Sequence, residues 1–377
     1  MLKTHLSFAK ICDLESTVMY TDAVLNVFSQ RYADAREKFI SATEMSSIVD
    51  KVNSYKHPLK GPKGEKLFCD IAWLGNLNAK KILVLVSGLH GVEGGIGSAI
   101  QSDFLGRYRR LPADVCVVLV HALNPWGLAW ASRNDHEGID VNRNFVDFSV
   151  PLPTSQSAGI WQDLINKKAD IDEVGSNREQ FDLLSEGQYE NPNALYFGGT
   201  KPSWSRECIE QLTGQLHLAE REQVMVIDLH SGLGPYGHGE LISDHSVDCI
   251  ARETLLDIYG ASLTESILGT SCSGLKQGLH DYFWHTQGDH VSFVTLEFGT
   301  FGNREMLRVL FADQQLQQQK ISWQDDKTRE IKYAMQDFFC PDQKQWQELA
   351  LFRGRQVIEM ALNGLTSLNG LDGNVNN

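Results

Sequence analysis

The segment that most constrains the fold is an uninterrupted apolar run, ILVLV, at residues 82–86. A run of aliphatic and β-branched residues without a polar break predicts a strand that is buried on both faces. Such strands are typical of parallel sheets with helices above and below. The sequence therefore predicts an α/β fold in a single main domain, built on a mostly parallel or mixed twisted sheet with helices on both faces.

Three further apolar runs have the same character, at residues 115–121, 222–229 and 291–296. A turn-rich stretch at residues 52–75 predicts a hairpin or edge strands ahead of this core. Residues 100–108 have a helical pattern and lie between the first two core strands. Because strand–helix–strand crossovers are right-handed, we expect these strands to be parallel.

The rest of the chain divides around this core. Residues 1–50 contain an amphipathic helical pattern and predict an N-terminal helical cap. Residues 51–315 form the main domain, with an irregular insertion at 149–223 that we expect to shape the entrance of a site. Residues 316–377 predict a C-terminal helical extension, which ends in a flexible Gly- and Asn-rich tail from Asn363.

Composition narrows the class of protein. With 42% hydrophobic and 22% charged residues, and no apolar run long enough to span a membrane, the chain is typical of a soluble enzyme. Residues 1–17 show no signal peptide, and we expect a cytoplasmic location. A formal net charge of −14 argues against nucleic-acid and membrane partners and favours a small-molecule or peptide partner. The oligomeric state stays open.

The cysteines carry no metal-binding pattern. They are scattered, odd in number and without a C-x-x-C pair, which indicates free, mostly buried thiols in a reducing compartment. The seven are Cys12, Cys69, Cys116, Cys208, Cys249, Cys272 and Cys340.

Two of the predicted strands end in a histidine followed by a glycine-rich segment. His90 follows the first core strand, with Glu93 three residues later, and His230 follows the run at 222–229. Open α/β sheets bind ligands at the carboxyl ends of their strands, so these side chains should meet at one edge. Two imidazoles and a carboxylate form a ligand set of catalytic zinc. One such histidine alone is more often structural, but the repetition favours one zinc ion per chain.

Further charged residues belong to the same predicted edge. Glu297 ends the run at 291–296, where a carboxylate is costly to bury unless it is paired or functional. Beside an activated water it would act as a general base. Arg133 and Arg143 lie ten residues apart after the strand at 115–121. A single loop arginine is usually a solvated charge, but two together favour recognition of an anion such as a carboxylate.

Four motifs taken together resemble the zinc carboxypeptidase superfamily over roughly residues 80–305. They are H-G-V-E from His90, D-V-N-R-N-F from Asp140, D-L-H-S-G from Asp228 and T-L-E-F-G from Thr295. The likeness is nearest to an uncharacterised bacterial branch close to the aspartoacylase and succinylglutamate desuccinylase group. The resemblance implies a metallocarboxypeptidase-like fold and zinc as the cofactor.

The resemblance also implies roles for the matched residues. His90, Glu93 and His230 would bind the zinc ion, in agreement with the reading of the strand ends. Glu297 would be the general base, and Arg133 would polarise the scissile carbonyl. The main domain would then be a zinc-hydrolase catalytic domain.

Substrate binding is implied for a second set of residues. Asn142 and Arg143 would hold a substrate carboxylate. The carboxypeptidases of the superfamily also have a tyrosine near the substrate, and here the match does not single one out. Our prediction is Tyr282, ahead of Tyr236 and Tyr259.

We therefore expect a zinc-dependent hydrolase of amide bonds, a carboxypeptidase-like metallopeptidase acting next to a free carboxylate. Two alternatives stay open: an N-acyl-amino-acid deacylase of the aspartoacylase and desuccinylase type, and a non-catalytic zinc protein that binds a carboxylate or a peptide. A serine hydrolase is excluded, because no G-x-S-x-G segment is present. The insertion at 149–223 departs from both groups of relatives and leaves the substrate class undecided.

Overall fold

The computed structural model describes residues 22–319 and 322–367. Residues 1–21, which include Cys12 and the stretch without a predicted signal peptide, lie outside the described residues, as does the part of the predicted tail from residue 368 onward. Residues 363–367, which we also predicted to be flexible, instead end a helix, and Leu365 is buried in the main core. In the part of the chain that is described, no helix is long and apolar enough to cross a membrane.

One mixed sheet of eight strands organises the chain. The strands are β1 (Val49–Lys60), β2 (Lys66–Gly75), β3 (Lys81–Ser87), β4 (Val115–His121), β5 (Gln223–Gly232), β6 (Gly239–Ser243), β7 (Leu263–Glu265) and β8 (Val291–Gly299). Their order across the sheet is β1-β2-β4-β3-β5-β8-β6-β7. The four strands predicted from apolar runs, β4, β3, β5 and β8, lie side by side at the centre and are all parallel.

Antiparallel pairs flank this centre on both sides. The predicted hairpin is present as β1 and β2, and β2 pairs antiparallel with β4. On the other side, β6 pairs antiparallel with β8 and parallel with β7. The sheet is therefore mixed, and the central strands are covered on both faces, as their continuous apolar character requires.

Thirteen helices are found in the described residues. They are α1 (Asp22–Leu25), α2 (Tyr32–Met45), α3 (Gly94–Arg107), α4 (Pro125–Ala129), α5 (Ser157–Ile165), α6 (Ile171–Ser176), α7 (Arg178–Ser185), α8 (Trp204–Leu216), α9 (Ile250–Tyr259), α10 (His280–His285), α11 (Asn303–Gln317), α12 (Asp326–Phe339) and α13 (Lys344–Ser367).

These helices form a layer on each face of the sheet. Helices α2, α3, α9 and α13 contribute to the core on one face. Helices α8 and α10 contribute to the core on the other. The predicted α/β fold with helices on both faces is confirmed. The division into cap, catalytic domain and extension stays a prediction, although α2 and α13 both bury side chains in the main core.

The insertion has a core of its own. Its helices α5, α6 and α7 pack against α11 and α12, with Trp161, Phe181 and Phe339 among the buried side chains. This cluster also includes Val92, which lies between the predicted metal ligands His90 and Glu93. The insertion therefore packs directly beside the predicted site.

The helix after His90 begins earlier than predicted. We expected it from residue 100, but it starts at Gly94, although glycines lower helix propensity. The glycines let the helix lie close to its neighbours. A Cβ at Gly97 would come within 2.3 Å of Ser87 Cβ, and one at Gly95 within 2.9 Å of Cys340 Sγ. Tight packing against β3 and the C-terminal segment thus outweighs local propensity.

We expect Gly97→Ala to destabilise the protein by about 1–3 kcal/mol, the usual cost of overpacking a core. The added methyl group would meet the Ser87 side chain and also its Cα, at 3.1 Å. The matched control is Gly106→Ala in the same helix, where nothing lies within 4 Å. That change should be neutral or stabilising by up to about 1 kcal/mol. Equal urea unfolding midpoints for the two variants would contradict the close contact.

Candidate metal centre and cleft

The predicted metal ligands meet at the carboxyl end of the central strands. His90 follows β3, and Glu93 lies in a short 3-10 turn just before α3. The register of β3 with β5 brings His230 to the same edge. We expected His230 to follow the end of its strand. Instead β5 continues to Gly232, and His230 pairs with Glu297 of β8. The general-base candidate is thus the direct neighbour of a predicted ligand.

The three side chains converge on one point. His90 Nδ1 lies 2.9 Å from one oxygen of Glu93, and His230 Nδ1 lies 3.1 Å from the other. The two Nδ1 atoms are 3.2 Å apart. Two nitrogen ligands about 2.0–2.1 Å from a tetrahedral zinc ion stand roughly 3.3 Å apart. The donor types and their separations therefore fit a divalent ion such as zinc.

This cluster has no counterpart elsewhere in the described residues. Among residues 22–319 and 322–367, it is the only group of three or more His, Cys, Asp or Glu side chains that could hold a metal ion, and its ligand atoms lie within 4.8 Å of one another. All three side chains are at most 5% exposed. One ion per chain is the stoichiometry that this arrangement supports.

Each histidine has a carboxylate behind it. Asp140 Oδ1 lies 3.2 Å from His90 Nε2, and Asp228 Oδ2 lies 3.1 Å from His230 Nε2. Metal-binding histidines generally direct their other nitrogen to such a group, which orients the ring and makes it a stronger ligand. Both aspartates occur in the motifs of the sequence, but their function as partners of the histidines was not predicted.

Asp228 is itself held by a buried pair on α10. Trp284 Nε1 donates to His280 Nε2 at 2.8 Å, and His280 Nδ1 lies 2.8 Å from Asp228 Oδ2. Since an indole nitrogen can only donate, His280 Nε2 must accept and Nδ1 carries the proton. His280 therefore donates to Asp228, and this support was missed because nothing in the local pattern of α10 connects it with β5.

Electrostatics favour the ionised forms of two carboxyl groups at this site, Glu93 and Asp140. Burial opposes ionisation of Glu93, but His90 and His230 together hold its pKa below the ordinary value. For Asp140, burial is likewise outweighed by Arg133 and His90, and the pKa lies well below its usual range. These carboxylates are thus anionic and available to balance a cation.

Glu297 differs from the other carboxylates. Burial, and then the charge of Glu93, raise its pKa to about 8, although His230 acts in the opposite direction. Its Oε1 accepts a hydrogen bond from the Leu233 backbone N–H at 2.9 Å. A divalent cation in the cluster would add a large positive charge and lower this pKa. The carboxyl group is therefore poised near neutral pH, as a general base must be.

Arg133 reaches the same cluster. Its guanidinium donates to Asp140 Oδ2 at 3.0 Å and to Glu93 Oε1 at 3.1 Å, and it lies 2.8 Å from His90 Nε2. Opposite charges raise its pKa despite burial. The sequence placed Arg133 near the metal ligands, and the structure brings them into direct contact.

Arg143 and Asn142 line the cleft beside this cluster. Arg143 donates to the backbone carbonyls of Ser185 and Asn142, at 2.7 and 2.6 Å. The Asn142 side-chain oxygen accepts from the His280 N–H at 2.8 Å. Arg133 and Arg143 both lie over the ring of Tyr196, with centroid distances of 5.4 and 5.5 Å. The anion-binding candidates thus share one wall.

The prediction for Tyr282 is not supported by its position. Tyr282 does not line the cleft, and its hydroxyl donates to the Lys276 backbone carbonyl at 3.0 Å. Neither of the other two candidates lines it: Tyr236 lies at the surface, and Tyr259 is buried in the opposite core. The tyrosine that does line the cleft is Tyr196, which comes from the insertion, where no motif or periodicity pointed to it.

The insertion contributes other walls of the cleft. Phe181 and Ser185, at the end of α7, line it together with Tyr196. This agrees with the expectation that the insertion shapes the entrance. The free thiols also agree with expectation: the six cysteines in the described part of the chain form no disulfide, and four of them are buried.

Comparisons with known proteins place the chain in a family. The family profile described as "Protein of unknown function (DUF2817)" matches residues 28–353. No curated protein matches the sequence.

Several solved structures resemble the fold. Bovine thrombin-activatable fibrinolysis inhibitor, in complex with tick carboxypeptidase inhibitor, is 13% identical, with 89% of this chain and 99% of that chain covered and a TM-score of 0.46. The metallo-carboxypeptidase from Burkholderia cenocepacia is 12% identical, with 86% of this chain and 69% of that chain covered and a TM-score of 0.41. The succinylglutamate desuccinylase from Chromobacterium violaceum is 14% identical, with 84% of this chain and 76% of that chain covered and a TM-score of 0.36. These names include the groups that the sequence motifs resemble. At such TM-scores, the activity has to be argued from the side chains.

Proposed function

The chain belongs to the DUF2817 family of proteins of unknown function, and we propose that it is a metal-dependent hydrolase that cleaves an amide bond next to a free carboxylate. The observation that carries the proposal is the convergence of His90, Glu93 and His230, with Glu297 as the strand neighbour of His230. The three metal ligands by themselves would also suit a metal ion with a purely structural role. A buried carboxyl group that stands beside the ligands and lines the cleft is the further group that a hydrolase needs.

His90, Glu93 and His230 are the residues that would hold the ion. Three protein ligands leave a fourth position of a tetrahedral site open, as in catalytic zinc centres. When bound, zinc supplies Lewis acidity, which lowers the pKa of a water molecule and polarises a carbonyl group. Asp140 and Asp228 lie beside the outer nitrogens of the two imidazoles, where they would orient the rings for binding.

Glu297 takes the proton of the attacking water. Its second oxygen is free of the hydrogen bond from Leu233, and the carboxyl lies in the cleft wall at the end of β8. After attack, the same group returns the proton to the leaving amine. Arg133 stabilises the negative charge that develops on the carbonyl oxygen. A cation in the cluster would compete with Arg133 for Glu93 and so free an N–H of Arg133 for this task.

Arg143 binds the free carboxylate of the substrate. A guanidinium has five N–H donors, and three of them bond to backbone carbonyls of Ser185 and Asn142. The remaining two, one on each terminal nitrogen, match the two oxygens of a carboxylate. Asn142 lies beside it in the cleft wall.

Arg143→Ala is expected to raise KM for a substrate with a free carboxylate by at least about tenfold, since a lost charge-assisted hydrogen bond is the main effect. Arg133→Ala should instead lower kcat, because its contribution is made in the transition state. Steady-state kinetics on N-acetyl dipeptides checks both. Equal wild-type activity on free and C-terminally amidated dipeptides would contradict the carboxylate site.

The same geometry suits deacylation of an N-acyl amino acid, in which the amide also lies next to a free carboxylate. Peptide hydrolysis and deacylation differ only in what lies on the acyl side of the scissile bond. Comparing kcat/KM for N-acetyl dipeptides with kcat/KM for N-acetyl and N-succinyl amino acids distinguishes peptide hydrolysis from deacylation. The alternative in which the protein only binds its ligand is tested by the variant Glu297→Gln.

A further inference from the structure

We propose that Lys276 forms a second anion-binding position in the cleft, so that the amino acid released by hydrolysis is one with an acidic side chain, such as glutamate or aspartate. This inference rests on the proposed function, because it assigns the α-carboxylate to Arg143 and the side-chain carboxylate to Lys276. It names a substrate class that neither the metal ligands nor Glu297 can define.

Lys276 is a buried cation without a close partner. Its side chain is 7% exposed and lines the cleft, and its Nζ has no hydrogen-bond partner in the described structure. The nearest carboxylate oxygen in an ion pair with it belongs to Asp182, at 4.0 Å. Asp182 is already bound by Arg178 at 2.5 Å. A buried ammonium group that lacks hydrogen bonds is costly, and a ligand oxygen would remove that cost.

The chain around Lys276 is fastened beside Arg143. Gly278 has a positive φ of 63°, and a Cβ there would lie 2.3 Å from the Arg143 carbonyl oxygen, so only glycine allows the approach. The Gly278 carbonyl accepts from the Phe145 N–H at 3.1 Å. Two residues later, the His280 N–H donates to Asn142. Lys276 and the proposed carboxylate site are therefore parts of one rigid wall.

Charge repulsion in this wall points to an anionic ligand. Burial, and then the nearby charge of Arg143, lower the pKa of Lys276 to about 7. Two cations that face one cleft destabilise each other, and both gain when a dicarboxylate enters. A ligand whose two carboxylates reach both groups would pair with each of them and favour the charged form of Lys276.

Two aspartates in the same cleft offer a rival. Asp244 and Asp281 also line it, and each has an unpartnered oxygen, so they could select a basic side chain instead. However, burial raises the pKa of both, and the charge of Asp244 raises that of Asp281 further. Carboxyl groups that retain protons attract a cation weakly. Lys276 in turn lowers the pKa of Asp244, and the comparison of acidic with basic substrates below decides between Lys276 and the two aspartates.

The test compares N-acetyl-L-alanyl dipeptides that end in glutamate, glutamine or lysine, together with the three N-acetyl amino acids. We expect kcat/KM for the glutamate compounds to exceed that for the glutamine compounds by at least about tenfold, the effect of one hydrogen bond to a charged group. Lys276→Met should bring this ratio close to one, and Lys276→Arg should retain most of it. Lys201→Met, which removes an exposed lysine paired with Glu137, is the matched control and should keep the wild-type ratio.

The outcomes separate the inference from the proposed function. A wild-type ratio near one would overturn the inference, and a preference for lysine would overturn it in favour of Asp244 and Asp281. If none of the compounds is hydrolysed, the proposed function fails. Calorimetry of L-glutamate and L-glutamine binding to the zinc-loaded protein then tests separately whether Lys276 binds a side-chain carboxylate. Tighter binding of glutamate that is lost in Lys276→Met supports it, and equal binding overturns it. Thermal unfolding of each variant shows whether it is folded.

Discussion

Replacing Glu297 by Gln is expected to lower kcat by at least about a hundredfold, the low end for a positioned general base, while the metal ion and substrate binding are retained. The substitution keeps the volume and the hydrogen bond from Leu233 but removes the basic oxygen. Burial already makes this carboxyl expensive to ionise. A protein that only binds its ligand would have no use for such a group.

Glu240→Gln is the matched control for this experiment. Glu240 lies directly opposite Glu297 in the pairing of β6 with β8 and is also buried. Its carboxylate accepts hydrogen bonds from Thr264 and Cys272, and it is not among the residues that line the cleft. We expect kcat to stay within a few-fold of wild type. Loss of metal in Glu297→Gln would make Glu297 a ligand, and a wild-type rate would refute its role as the base.

Removal of a single ligand is expected to abolish metal binding. We expect about one divalent ion per chain in the wild type and none after desalting in His230→Ala, because two protein ligands rarely hold zinc tightly. The substitution also leaves the buried carboxylates of Glu93 and Asp228 without the imidazole between them. Elemental analysis measures the ion content directly and does not require a substrate.

The control for the metal experiment is His217→Asn. His217 is exposed after α8 and has a positive φ of 50°, a conformation that asparagine tolerates. This variant should keep the full ion content. If His230→Ala also keeps it, the ion is bound elsewhere or the ligand set is different, and the proposed function loses its basis.

The core of the fold and the convergence of the candidate metal ligands could be predicted because their signals are local. An apolar run such as residues 82–86 shows a strand that is buried on both faces, wherever it lies in the sheet. Parallel strands deliver the residues after them to one edge. His90, Glu93, His230 and Glu297 therefore meet as the strand ends indicated.

The remainder of the cleft was decided by tertiary structure, because it depends on the paths of loops. Tyr282 is close in sequence to His280, yet its hydroxyl turns to the Lys276 backbone, while Tyr196 enters the cleft from the insertion. Lys276 carries no motif at all and becomes notable only when the Gly278 contact places it beside Arg143.

The sequence by itself determined the four central strands, the hairpin beside them and the residues that end the central strands, since hydrophobic periodicity acts over short stretches of chain. The short strands β6 and β7 were not predicted. It did not determine which groups support or surround those residues. The aspartate behind His90, the bond from His280 to Asp228 and the early start of α3 all depend on contacts between segments far apart in the chain. Such contacts are set by packing, and local pattern does not encode them.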